Sequence, residues 1–337
     1  MRTRAIFGCQ GTELTDEERR FFTEAQPWGF ILFGRNVADP EQVRRLVVDL
    51  RDCVGDARAP VLIDQEGGRV ARLAPPLWRE RPPAGRFGAL HASSAGNARE
   101  AVWLNARLIA NDLAQLGISV DCAPVLDVPV EGADAVIGDR AFAHDPSVVI
   151  DLGRAAIEGL LDGGVLPVMK HIPGHGRASV DTHKALTHIT VAFEELSTSD
   201  FVTFRCLNDC PLAMTAHVIF DAIDAQRPAT TSPKVIREVI RGEIGFEGVL
   251  ITDDISMDAL HGTLSIRARA ALFAGCDIVL HCNGQMAEMR EVAGEAKPLQ
   301  DQWLKRCEKA LSQLAAPEPL DAGAAEARLA QLLEGRA

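Results

Sequence analysis

Four of the chain's nine histidines fall within KHIPGHGRASVDTHKALTHI, residues 170–189, where they keep company with Lys170 and Asp181. Three chemistries suit such a set. Catalytic zinc asks for three protein ligands and an open position, commonly with two His one helical turn apart. His171 and His175 have that spacing, but Pro173, Gly174 and Gly176 disfavour a helix and no HExxH is present, so no metal is expected. A solvated turn is the second reading, since PGHGRA carries turn punctuation. The third is an acid–base device. Asp181 and His183 are two apart, so an extended segment points both to one side. A carboxylate beside an imidazole fixes its tautomer and raises its pKa, and such a His can protonate a leaving group and later deprotonate water. D-x-H alone is too common to choose between the second and third readings.

The elements that must position these residues are legible as alternating patterns. Eight apolar runs read as strands: 5–9, 29–35, 60–66, 118–127, 165–171, 211–217, 248–254 and 276–282. Amphipathic segments at 40–54, 97–116, 146–162, 194–207, 233–243 and 264–274 read as helices, with two more near 285–314 and 322–334. The segment 74–97, rich in Pro, Ala, Gly and Arg, reads as a long loop. Eight strands alternating with helices predict an α/β fold, a single (β/α)₈ barrel spanning 1–337 with the C-terminal helices packed on it. Several strands end in reactive side chains: Asp64 with Glu66, Asp127, Lys170 with His171, His217, Asp253 with Asp254, and His281. A barrel builds its site at the C-terminal ends of its strands. Asp also caps the helices that follow strands, which accounts for one or two such ends but not six.

Bulk properties narrow the partners. The net charge of −12 argues against nucleic acid or an anionic membrane surface, and no stretch approaches the length of a membrane span. The N-terminus shows no secretory pattern, and none of the eight cysteines forms a C-x-x-C pair. A reducing cytoplasm without a disulfide framework is expected, as is a monomer.

Three further stretches join the histidine-rich one: VLIDQEGGRVARL (61–73), AVIGDRAF (135–142) and GVLITDDISMDAL (248–260). With KHIPGHG and DTH they resemble glycoside hydrolase family 3, in motif order from about Gly29 to Gly275. They resemble most closely its short bacterial β-N-acetylglucosaminidases of peptidoglycan recycling. Ile172 replaces the usual Phe of KHFPGHG, TDDIS replaces SDDLS, and Thr182 is the middle residue of D-x-H.

The resemblance implies a retaining mechanism through a covalent glycosyl-enzyme, without a cofactor. Asp253 matches the nucleophile, and His183 the acid/base with Asp181 as its partner. Asp64 matches the residue that holds the distal hydroxyls of the sugar. Arg72, Arg140, Lys170 and His171 match positions lining the same subsite, and His217 falls on another strand end expected to face it. The implied substrate is a small carbohydrate, a muropeptide of the GlcNAc–anhydro-MurNAc type. A related β-glucosidase or β-hexosaminide phosphorylase, and an inactive sugar-binding protein, are the competing readings. The residues add three expectations of their own. Gly and Pro at 173–176 predict a hinge that brings His183 to bound sugar. Asp254 competes with Asp253 for the nucleophile's role. Asp127 is expected to orient its neighbours.

Overall fold

The computed structural model describes residues 1–178 and 186–335. Eight parallel strands close into a barrel. They are β1 (Thr3–Gly8), β2 (Pro27–Leu32), β3 (Val61–Ile63), β4 (Val120–Asp121), β5 (Leu166–Ile172), β6 (Leu212–Thr215), β7 (Val249–Asp254) and β8 (Ile278–His281). Each pairs with its neighbours in sequence order, and β8 closes on β1 through Ala5–Val279, Ile6–Leu280 and Phe7–His281. The predicted (β/α)₈ barrel is the observed one, and all eight strand assignments hold.

Strand alternation divides the core in two. Ile6, Ile31, Leu62, Val120, Val168, Met214, Ile251 and Leu280 fill the barrel interior. Their sequence neighbours Phe7, Phe30, Ile63, Met169, Ala213, Leu250 and Val279 pack outward under the helices. Both faces are dry, which is why these strands read as continuous apolar runs.

The surrounding helices begin and end on local signals. Asp39 and Asp145 cap the helices Pro40–Val54 and Pro146–Asp162, each with Pro in its first turn. Thr263 caps Leu264–Ala274, and Gly275 ends it at φ +120°. The C-terminal helix Ala322–Leu333 lies on Ala95–Gln115, pinned where Arg328 meets Glu100 and where the buried Arg81 joins Asp112 to Glu326.

The structure corrects four helix readings. Asp16–Ala25 is a helix with a full capping box between Thr15 and Glu18, a signal overlooked because its apolar face is short. The expected loop 74–97 contains the helix Ala84–His91, in which Gly88 is needed for contact: a Cβ there would collide with the Phe142 carbonyl oxygen. The segment 285–314 is two helices, Met286–Glu295 and Asp301–Leu311, broken around Pro298. The segment 194–207 is likewise two, divided at Ser199.

No helix among the described residues is long and apolar enough to cross a membrane. All eight cysteines are free, most of them buried, with Cys206 exposed.

Candidate active site

The C-terminal ends of the strands surround a cavity of about 280 Å³. Asp64, Glu66, Arg72, Arg140, Lys170, His171 and Asp253 all line it, together with an apolar wall that includes Phe33, Ile137 and Met257. Six of the nine residues expected in the site therefore meet in one place. His217 does not, and Asp181 and His183 lie outside the described residues, within the stretch 179–185 of the loop expected to swing.

One end of the cavity is an ion cluster. Lys170, on β5, donates to Asp64 at 2.9 Å and reaches Glu66 at 2.6 Å. Arg72 meets the other oxygen of Asp64 at 3.1 Å. Arg140 holds Glu66 through two bonds of 2.8 Å, in the fork geometry that favours arginine. Two carboxylates thus sit among three cations. Burial alone pushes both carboxyls up, but Lys170 with Arg72 outweighs it at Asp64, and Lys170 with Arg140 outweighs it at Glu66. Burial likewise pulls Lys170 down, and the two carboxylates more than restore it. Asp64, Glu66, Lys170 and Arg140 stay ionised.

Local structure explains the placement. Asp64 directly follows β3, and the chain then turns through the short antiparallel strands Gln65–Gly67 and Val70–Ala71. Gly67 and Gly68 adopt φ +94° and +54°, which suits glycine. Gln65 locks the turn by accepting the amides of Arg72 and Leu73 through Oε1, and this brings Arg72 back toward Asp64.

A second group is built on Asp127, which is wholly buried just after β4. Its Oδ1 accepts the amides of His171 (3.2 Å) and His175 (2.7 Å), and its Oδ2 accepts Nδ1–H of His171 at 2.7 Å. Burial raises this carboxyl, but His171, the hydrogen bonds and His175 together hold it below its ordinary range. Asp127 therefore fixes both the ring of His171 and the turn that follows it. His175 is buried and also lines the cavity; burial and the neighbouring His171 lower its pKa to about 4, so it is neutral near pH 7.

Asp253, the penultimate residue of β7, lines the cavity. Its Oδ1 accepts the amide of Asp254 at 2.8 Å. Burial would raise its pKa, but His217, His171, that amide and Lys170 hold it below the ordinary carboxylate value. The adjacent Asp254 is differently employed. Its oxygens accept Ser256 N–H (3.0 Å), Ser256 O–H (2.7 Å) and Cys282 N–H (3.3 Å), so it ties the end of β7 to β8.

His217 was expected to face the sugar subsite; it is not among the residues that line the cavity, although its charge acts on Asp253. Its Nε2–H donates to the Asp254 carbonyl at 2.9 Å, and its Nδ1 meets the Thr230 hydroxyl at 2.7 Å. Burial lowers its pKa. β6 ends at Thr215, so strand alternation no longer sets the direction of His217, and its ring is taken up by Thr230 and the Asp254 carbonyl. Of the other described histidines, His144 meets the Pro129 carbonyl, and His91 and His188 lie against Asp151 and Asp221. His281, named only as a strand end, meets Glu288 at 3.0 Å.

Sequence reasoning gave no role to Glu66, although its spacing from Asp64 was a usable signal. It missed the apolar wall, whose residues come from six separate segments. Among the described residues, no three His, Cys, Asp or Glu side chains converge as a metal-binding set.

The arrangement presents an ionised carboxylate beside a charged clamp suited to hydroxyl groups. Comparison with known proteins agrees. Residues 7–314 match the model of the glycosyl hydrolase family 3 N terminal domain. A beta-hexosaminidase of Alkalilimnicola ehrlichii is 38% identical over 95% of this chain and 98% of its own length. One from Pseudomonas aeruginosa is 38% identical over 81% of this chain and 80% of its own. Among solved structures, NagZ from Neisseria gonorrhoeae in complex with N-trifluoroacetyl-D-glucosamine superposes with a TM-score of 0.89, at 30% identity and 98% coverage of both chains. The chain belongs to glycosyl hydrolase family 3.

Proposed function

We propose that the protein is a retaining, exo-acting β-N-acetylglucosaminidase that removes a non-reducing N-acetylglucosamine from muropeptide fragments. The observation that carries this is Asp253: an ionised carboxylate on the cavity floor whose Oδ2 takes no hydrogen bond among the described residues. The relatives' beta-hexosaminidase names and the N-trifluoroacetyl-D-glucosamine bound to the Neisseria protein support the acetamido sugar. The ion cluster at one end of the cavity supports exo action, since its charges suit the distal hydroxyls of a terminal sugar.

In the first step Asp253 Oδ2 attacks the anomeric carbon as the bond to the leaving oxygen breaks, and protonated His183 gives that oxygen its proton. Positive charge builds on the ring, and the nearby carboxylate stabilises it. In the second step neutral His183, oriented by Asp181, takes a proton from water. The water attacks the anomeric carbon, and the bond to Asp253 breaks with net retention. Asp64, Lys170, Arg72 and Arg140 grip the sugar, and His171 is held ready by Asp127. Residues 1–337 act as one catalytic unit, and we assign it to the cytoplasm as a monomer, consistent with its free cysteines.

The test is hydrolysis of a chromogenic β-N-acetylglucosaminide beside the matching β-glucoside, with H183A in parallel. Strong preference for the acetamido sugar is expected. H183A should retain far more activity on a good leaving group than on a poor one. Equal turnover of both sugars would point to a broader β-glycosidase, free sugar replaced by sugar 1-phosphate in phosphate buffer to a phosphorylase, and no turnover to a binding protein.

A further inference from the structure

Part of the cavity wall belongs to the segment 134–140, and a residue outside the ion cluster fastens it. Arg69 sits in the tight turn between Gln65–Gly67 and Val70–Ala71. From there its Nη2 donates to three successive carbonyls: Ala135 at 2.9 Å, Val136 at 2.6 Å and Ile137 at 3.3 Å. Its Nε donates to the Asp139 carboxylate at 3.3 Å. In the opposite direction Arg140 reaches back to Glu66, and its Nη1 meets the same Val136 carbonyl at 3.2 Å. Each segment thus holds the other with one arginine, and both guanidinium groups converge on one carbonyl.

The segment needs such a fastening. Its own apolar anchor is small, a cluster of Val125, Ile137 and Ala141 with Val136 packed against it. Yet Val136 and Ile137 line the cavity, and Arg140 must arrive at Glu66 in register. The ion pair of Arg69 with Asp139 is about half exposed on both sides and contributes little stability by itself. Its contribution is geometric, because three adjacent carbonyls are held toward one donor group.

We propose that Arg69 is a positioning residue for the sugar site, fixing 135–139 so that the Val136–Ile137 wall and the Arg140–Glu66 pair meet the substrate in register. This rests on the glycosidase reading above. Lysine is not an equivalent, since one ammonium cannot serve both the carbonyls and Asp139.

The test is steady-state kinetics of wild type, R69A, R69K, R140A and R69A/R140A on the chromogenic β-N-acetylglucosaminide. R69A should raise KM about tenfold while kcat changes less than about threefold, the signature of lost ground-state positioning. R69K should fall between R69A and wild type, and it carries the test should R69A fail to fold. If Arg69 acts through the segment that presents Arg140, the double variant loses clearly less than the product of the single losses. Wild-type KM in the Arg69 variants, or losses that simply multiply, would overturn the proposal. Failure of wild type to turn over substrate would instead count against the glycosidase reading.

Discussion

Asp253 and Asp254 are neighbours on one strand, yet only Asp254 has its carboxylate consumed by the fold. Asp254 holds Ser256 and Cys282 through three hydrogen bonds, while Asp253 takes a single amide and faces the cavity. The pair therefore separates into a brace and a reactive group. We expect D253N to lose at least about 10³-fold in kcat, as removal of a nucleophile does. D254N keeps most of its hydrogen-bonding shape and should lose about tenfold or less, with a stability cost of about 1 kcal/mol. Steady-state rates and urea midpoints for the two variants check this, and an inverted order would exchange their roles.

Asp127 offers a test of tautomer control. In D127N the new side-chain amide can keep its oxygen on the two backbone N–H groups. Its NH₂ then faces His171 Nδ1, and the ring proton must move to Nε2. We expect D127N to lose about 10²-fold in kcat/KM with little change in fold. The nitrogen shifts of the His171 ring, followed by NMR, should report the altered tautomer. Wild-type kinetics in D127N would remove Asp127 from the account.

Lys170 is the keystone of the ion cluster. K170M leaves Asp64 and Glu66 close together without their shared cation. A loss of about 3–5 kcal/mol is expected near pH 7, read from the urea midpoint. Because Asp64 and Glu66 are depressed by their cations, their stabilising effect is present above the unfolded carboxylate range and is lost as pH falls through the folded values. The deficit of K170M should therefore shrink in acid. An unchanged midpoint at pH 7 would contradict the cluster's role.

The buried histidines set a second pH dependence. His175 is lowered from 6.5 to about 4, and His217 is lowered as well. Between those values the unfolded chain binds a proton that the folded chain refuses. Stability is thus intact above about pH 6.5 and falls as the solution is acidified toward 4, by about 1.4 kcal/mol per pH unit for His175. H175N should flatten the stability profile between pH 6.5 and 4. A wild-type profile that stays level across this window would contradict the assignment.

Much of this was legible because the barrel repeats a simple physical pattern. Its strands are dry on both faces, so they stand out as apolar runs, and their reactive ends stand out against those runs. What escaped depended on contacts distant in sequence. Gly88 reads as a loop residue in sequence, yet it is the point at which the Phe142 carbonyl presses on its helix. His217 reads as a strand-end residue in sequence, but β6 stops at Thr215 and the ring is held by Thr230 and the Asp254 carbonyl. Glu66 and Arg69 gained meaning only when the segment carrying Arg140 folded against their turn. Asp127 was legible as an orienting group, but not that one carboxylate would serve His171 and His175 together.

The central claim is that Asp253 forms a covalent bond to the sugar. The most direct measurement uses a fluorinated N-acetylglucosaminyl fluoride whose glycosyl-enzyme hydrolyses slowly. Intact mass spectrometry gives the stoichiometry, and peptide mapping gives the site. One sugar per chain is expected, on the peptide spanning 248–260 at Asp253, with none in D253N. Labelling of another carboxylate, or turnover with inverted anomeric configuration and no adduct, would contradict it.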